Sequence, residues 1–231
     1  RNVLEHVTLR FAPGSTVGIL GGTGSGKSSL VQLVPRLYDA TEGTVLVGGR
    51  DVRDYDVHAL RAGVGMVLQK NVLFSGTVRD NLRWGNPDAT DQEILDACRL
   101  ACVDEFLDRI GGLDADLGHG GGNVSGGQKQ RLCIARTLLS HPKVMVFDDS
   151  TSAVDTATDA RIRAGLAQVH DMTKVIIAQR VSSVRDSDQI VVLDEGRLAG
   201  VGKHDELVRT CPTYRAIVES QQMEGGEADG E

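Results

Sequence analysis

Gly21-Gly22-Thr23-Gly24-Ser25-Gly26-Lys27-Ser28 is the stretch on which the reading of this chain turns. It matches G-x-x-x-x-G-K-[ST] at every fixed position. A short apolar strand, Thr16 to Leu20, leads into it. A helical stretch from Ser28 to about Leu37 leads out, with Leu30, Val31, Leu33 and Val34 as its apolar positions. Glycines so placed let the backbone curl until several N–H groups point at one anion, and the helix start adds its partial positive charge. Lys27 then lies along the β- and γ-phosphates of a nucleotide, Ser29 follows on the opening helix, and the hydroxyl of Ser28 is a ligand for Mg2+.

Working outward, Thr44 to Val47 and Gly63 to Leu68 read as strands, the second ending at Gln69. After Leu73 to Leu82 the pattern becomes helical. Thr90 and Glu93 form a T-x-x-E capping box, and Ile94, Leu95, Ala97, Cys98, Ala101, Cys102 and Phe106 keep a period near 3.6. The α/β pattern resumes with Lys143 to Phe147, then Lys174 to Ala178, a hairpin from Gln189 to Val201 around Glu195-Gly196, and a last helix from about Asp205 to Gln222.

Glycine is the one pointed feature of the composition, 28 of 231 residues. A second glycine cluster, Gly118 to Gly122, runs into Asn123-Val124-Ser125-Gly126-Gly127-Gln128. Ser125 with Gln128 is an S-x-x-Q capping box, which alone would explain a helix start. Two glycines inside the first turn are not needed for a cap and cost about 1 kcal/mol each against alanine. What they offer is bare N–H groups open to an incoming anion. Further on, the apolar strand ends in Asp148-Asp149, and a carboxylate at the carboxyl end of such a strand is where an open α/β sheet holds Mg2+ beside a nucleotide.

The remaining composition excludes more than it suggests. The net charge is −7 with no long Lys/Arg block, which argues against nucleic acid or an anionic membrane surface as the main partner. Glu224, Glu227, Asp229 and Glu231 crowd the last residues, 223–231, which read as a solvated, disordered tail. Four scattered cysteines fit a reducing compartment. Cys98 and Cys102, one helical turn apart, could share a metal but lack a second ligand pair, so packed small side chains are the better reading. No apolar run approaches the roughly 18 residues needed to cross a bilayer.

Taken together, the phosphate loop, Gln69, Ser125-Gly126-Gly127-Gln128, Asp148-Asp149 and Ser152-Ala153-Val154-Asp155 resemble, in order and spacing, the nucleotide-binding domain of an ABC transporter. Leu73 to Leu82 resembles the exporter branch. The resemblance covers Asn2 to about Gln222. It implies an α/β P-loop NTPase fold of ABC type: a RecA-like core sheet with an antiparallel β subdomain and an inserted α-helical subdomain. The domain would span 1–222, its core about 1–81 and 138–222 and its helical insert about 82–137. It also implies two such domains packed head to tail around two ATP molecules. One supplies Gly21 to Ser29, with Ser28, Gln69 and Asp148 at Mg2+ and Asp149 as the acid. The other supplies Ser125 to Gln128 at the γ-phosphate, and Asp155 reports across the interface.

Three departures from the family pattern stand out. The base after the Mg2+ aspartate is usually Glu and here is Asp149, one methylene shorter. The switch position after the strand Lys174 to Ala178 is usually His and here is Gln179, which can donate a hydrogen bond but carries no charge. Gly118-His119-Gly120-Gly121 stands where exporters commonly carry G-E-R-G, the contact to the membrane domain. Asp149, Gln179 and Lys27 are thus the candidate catalytic residues of a slow or degenerate site. The expected partner is a non-identical half-transporter whose working site is completed by this chain's own SGGQ segment. Alternatives are a homodimeric ABC ATPase active at both sites and a soluble nucleotide-gated clamp on ribosomes or DNA; a P-loop kinase leaves SGGQ unexplained. Only 20 residues precede Gly21, too few for the adenine-stacking aromatic that exporters usually place there. That suggests an excised piece whose membrane domain lies upstream, with this segment at the cytoplasmic face of the cell membrane.

Overall fold

The computed structural model describes residues 3–148 and 153–226. Two compact units divide them, one made of residues up to 61 together with those from 173 onward, the other of Ala62–Met172. The chain begins in the first with β1 (Thr16–Gly21), α1 (Lys27–Gln32), β2 (Leu46–Val47), β3 (Arg50–Asp51) and α2 (Val57–Ala62). The second holds β4 (Val64–Val67), α3 (Val78–Arg83), α4 (Asp91–Leu100), α5 (Asp104–Ile110), α6 (Gly126–Leu139), β5 (Val144–Asp148) and α7 (Thr156–Ala167). The return to the first adds β6 (Thr173–Ile177), β7 (Gln189–Asp194), β8 (Arg197–Gly202), α8 (His204–Thr210) and α9 (Pro212–Gly226).

In the first unit β1 lies between β6 and β7 and runs parallel to both, with Ile19 opposite Ile177 on one side and Val191 on the other. Val17, Ile19 and Leu20 are fully buried, as expected of a parallel strand covered on both faces. β8 returns antiparallel to β7 through Glu195-Gly196, both in the left-handed region at φ 44° and 80°, which closes a two-residue hairpin of the kind whose twist suits the strands. Leu20, Ile190 and Val192 pack with Leu207, Cys211 and Tyr214 from the C-terminal helices.

The second unit pairs β4 with β5 in parallel, from Val64 opposite Val144 to Val67 opposite Phe147. All its α-helices but α5 start on side-chain caps. Thr90 with Glu93 opens α4 and Ser125 with Gln128 opens α6, both as complete capping boxes. A third box, Thr77 with Asp80, opens α3. Its third helical residue is Asp, where the usual capping-box pattern has Glu or Gln. Leu82, Ile94, Cys98, Leu132 and Ile134 are fully buried, from α3, α4 and α6. Burial pushes the Cys98 thiol up to about 12, so it behaves as a small apolar side chain. Cys102 stands beyond the end of α4 in the left-handed region, at φ 55°, and so does not share a helical turn with Cys98.

Three expected elements differ. α1 stops at Gln32 and not near Leu37, because Pro35 disfavours helical backbone at the residue before it and Arg36 is left-handed. Of Thr44 to Val47 only Leu46–Val47 pairs, against Arg50–Asp51 across a Gly48-Gly49 turn. The last helix is two helices: Cys211 is extended ahead of Pro212, and α9 then continues to Gly226, past Gln222. Of the tail expected over 223–231, residues 227–231 lie outside the described residues.

Candidate functional site

The glycine loop sits where β1 ends and α1 begins. Gly24 and Gly26 are left-handed, at φ 79° and 96°, a conformation that lets the loop turn back over itself. Its glycines divide into two kinds. A Cβ on Gly21 would lie 2.3 Å from the carbonyl oxygen of Leu193, and one on Gly26 would lie 2.7 Å from Leu4 Cδ2. Around Gly22 and Gly24 nothing lies within 4 Å of that position. The loop is therefore packed from behind and open in front.

Lys27 Nζ donates to the carbonyls of Gly21 at 2.8 Å and Gly22 at 2.7 Å, which holds its ammonium over the loop. Ser25 is buried, and its Oγ has no hydrogen-bond partner among the described residues. An open cradle of backbone with a lysine seated on it fits a bound phosphate chain, which would supply acceptors to N–H groups of the loop. Ser28 is exposed and Ser29 half-buried on the opening turn of α1.

Gln179 stands at the same end of the neighbouring strand. The β1–β6 register ends with Ile19 opposite Ile177, so Gly21 and Gln179 each lie two residues beyond a paired position, at the carboxyl ends of adjacent parallel strands. Its side chain is exposed. Its backbone is held from α9: Gln221 Nε2 donates to the Gln179 carbonyl at 2.7 Å, and Gln221 Oε1 accepts from Val181 N–H at 2.8 Å. Nothing in the sequence near Gln221 marks this role, because the contact joins residues 42 apart.

In the second unit Gln69 and Asp148 likewise share one edge. Val67 pairs with Phe147, which puts the exposed Gln69 just past the end of β4 and the half-buried Asp148 at the end of β5. Carboxyl ends of parallel strands are where open α/β sheets bind ligands. Asp149 lies outside the described residues, as does Ser152.

Ser125 and Gly126 are exposed, Gly127 and Gln128 half-buried, at the first turn of α6. Ser125 Oγ accepts from Gln128 N–H at 3.3 Å, and Gln128 Oε1 accepts from Ser125 N–H at 2.9 Å. The N–H groups of Gly126 and Gly127 open the helix and have no acceptor inside it. The cap and the open donors coexist, so the capping box does not exhaust what this turn can do. Asp155 caps α7, accepting from Thr158 N–H at 2.9 Å, and that backbone bond holds its carboxyl below the usual range.

Comparison with known proteins decides the family. The ABC transporter family model matches residues 4–152. The chain belongs to the ABC transporter family. This ABC domain is 47% identical over 225 residues to an uncharacterised ABC transporter ATP-binding protein of Mycobacterium tuberculosis, covering 96% of this chain and 38% of that protein. A multidrug efflux ATP-binding/permease protein of the same organism is 41% identical over 220 residues, 94% of this chain and 18% of its own length. Among solved structures, an Atm1-family bacterial ABC exporter with ATP bound superposes with a TM-score of 0.91 at 38% identity, over 96% of this chain and 39% of that one. The first of these relatives is thus matched over about two fifths of its length. The ABC domain is homologous to exporter-type proteins and has their mixed α/β fold with mostly parallel strands. Among the described residues no helix is long and apolar enough to cross a membrane.

Proposed function

We propose that this ABC domain, spanning 1–222 with a helical insert at 82–137, is the motor of an exporter that closes head to tail on a non-identical partner around ATP. Gly21 to Ser29 hold the phosphates, with Lys27 on the β/γ side. Ser28, Gln69 and Asp148 would hold Mg2+, which would supply neutralisation of the charge on the phosphates. Ser125, Gly126, Gly127 and Gln128 face the partner's γ-phosphate. The membrane domain that carries the solute belongs to the same protein or its partner, and the motor works at the cytoplasmic face. Nucleic acid has no place in this reading.

What carries the asymmetry is the sequence: Asp149 and Gln179 replace the usual Glu and His, while Ser125–Gln128, preceded by Val124 in place of the usual Leu, keeps its residues and forms a capped turn. Asp149 is one methylene short of the usual Glu, and a displacement near 1 Å can cost about a hundredfold in rate. Gln179 donates a hydrogen bond but no positive charge. The own site then binds ATP and turns over slowly, while the Ser125–Gln128 turn completes the partner's working site.

The test is hydrolysis by the purified chain alone and mixed with a half-transporter bearing Glu and His at the two positions. Slow turnover alone and fast turnover in the mixture is expected. Asp149→Glu with Gln179→His should raise turnover by the chain alone by about 10–100-fold. Turnover by the unmodified chain alone at the rate of a Glu-bearing relative would overturn the asymmetric reading in favour of a homodimer active at both sites.

A further inference from the structure

Ala153 sits against the first turn of α6 at several points. Its N–H donates to Gln130 Oε1 at 3.2 Å. Its carbonyl oxygen lies 2.8 Å from where a Cβ on Gly127 would begin, and its methyl 3.8 Å from the same position on Gly126. Gly126, Gly127 and Gln130 are spaced so that one face of the helix presents all three. Two residues on, Asp155 is fixed as the cap of α7. The peptide ahead of Asp155 is thus gripped by the turn that begins Ser125-Gly126-Gly127-Gln128.

Gln130 is fully buried, at 0% exposure, and its amide nitrogen has no acceptor among the described residues. The orientation of the amide follows from the contact, since the Ala153 N–H needs an oxygen facing it. A buried donor without a partner is destabilising, and a methionine of similar length would avoid the cost. Such a group persists where it does something that packing does not.

We propose that Gln130 is a positioning residue that seats the 153–155 loop on the Ser125–Gln128 turn, so that the turn and the loop move as one body. This rests on the reading above, in which the turn serves the partner's nucleotide while Asp148, at the end of β5, serves the chain's own. Gln130 is then the joint through which occupancy of one nucleotide site reaches the other. Gly127 contributes to the same joint by letting the Ala153 carbonyl approach.

The experiment compares Gln130→Met and Gln130→Glu with the unmodified protein, by amide hydrogen exchange without nucleotide, thermal unfolding and steady-state ATP hydrolysis with the partner present. Gln130→Met should speed exchange at 153–155 by about tenfold, the loss of one hydrogen bond of about 1.4 kcal/mol. Its melting temperature should stay level or rise, because the orphaned donor is gone. Its kcat should fall about tenfold with KM for ATP within about twofold, the signature of lost alignment and not of lost binding. Gln130→Glu keeps an oxygen facing Ala153 but buries an unpaired carboxyl, so it should restore slow exchange at 153–155 while its melting temperature falls. Unchanged exchange in Gln130→Met, or faster exchange with kcat unaffected, overturns the proposal. So does a fall in melting temperature and kcat together in Gln130→Met, which would mean packing alone. If the unmodified protein neither binds nor hydrolyses ATP, the functional reading falls instead, and exchange without nucleotide still decides whether Gln130 seats the loop.

Discussion

Gly21 and Gly22 are neighbours in one motif, and the structure assigns them opposite consequences on substitution. In Gly21→Ala the new Cβ would stand 2.3 Å from the Leu193 carbonyl oxygen, 2.7 Å from Ser25 Oγ and 3.2 Å from the Leu193 carbonyl carbon. Leu193 is paired with Gly21 in the β1–β7 register and with Leu198 in β8, so its carbonyl cannot retreat without parting strands. Overpacking of this kind costs about 1–3 kcal/mol, and for a chain of this size each kcal/mol lowers the melting temperature by about 2–4 °C. A fall of about 2–12 °C is therefore expected. In Gly22→Ala the methyl meets nothing within 4 Å. The unfolded chain loses freedom, so stability should hold or rise by about 0.4–1 kcal/mol. The methyl instead occupies the open front of the loop, and nucleotide affinity should fall at least about tenfold, or 1.4 kcal/mol. Thermal unfolding and titration with a fluorescent ATP analogue, run on both variants, separate the two effects. Equal melting losses, or Gly22→Ala binding ATP as well as the unmodified chain, would refute the division of the loop into a packed back and an open front.

Other outcomes follow from single contacts. Gly85→Ala would place a Cβ 1.9 Å from the Arg136 carbonyl oxygen in α6, a backbone clash that should cost upward of about 3 kcal/mol and show as a melting loss of roughly 6 °C or more. Gln221→Ala removes two hydrogen bonds to the backbone at Gln179 and Val181, each worth about 0.5–1.5 kcal/mol, and should speed amide exchange over 179–184 with little change in the global transition. Acid sensitivity should trace to helix caps. Asp80, Glu93 and Asp155 are held below the usual carboxylate range by backbone N–H groups of Thr77, Thr90 and Thr158. Their contribution is complete above the unfolded value near about pH 4 and is lost as pH falls through the lower folded values. Urea midpoints measured from neutral to acid pH should drop below about pH 4, and Asp80→Asn with Glu93→Gln and Asp155→Asn should flatten that drop.

Much of this architecture is written in short-range chemistry. The G-x-x-x-x-G-K-S run with an apolar strand before it, the capping boxes at Thr90 and Ser125, and the Glu195-Gly196 hairpin each act within a few residues, and each forms where the sequence places it. The helix ends were also legible in principle, since Pro35 and Pro212 carry their own reason for stopping α1 and splitting the C-terminal helix. What local reasoning could not reach are bonds between distant residues. Gln130 meets Ala153 across 23 positions and Gln221 meets Gln179 across 42, and a glutamine in a helix gives no sign of which backbone it will find.

Glycine shows the same limit at finer grain. Read as letters, Gly21, Gly22, Gly24, Gly126 and Gly127 all count as phosphate-loop or signature glycines. Their environments separate them: Gly21 is glycine because Leu193 presses on it, Gly127 because Ala153 does, and Gly24 because its backbone is left-handed at φ 79°, whereas Gly22 simply faces open space. A motif therefore records two selections superimposed, one for close approach of the protein's own backbone and one for room left to a ligand. Only the first is already satisfied in the chain alone. The second becomes intelligible once something fills the space in front of Gly22, and so that open front, with the Lys27 ammonium held over it, is better evidence for a bound phosphate chain than the match to the motif is.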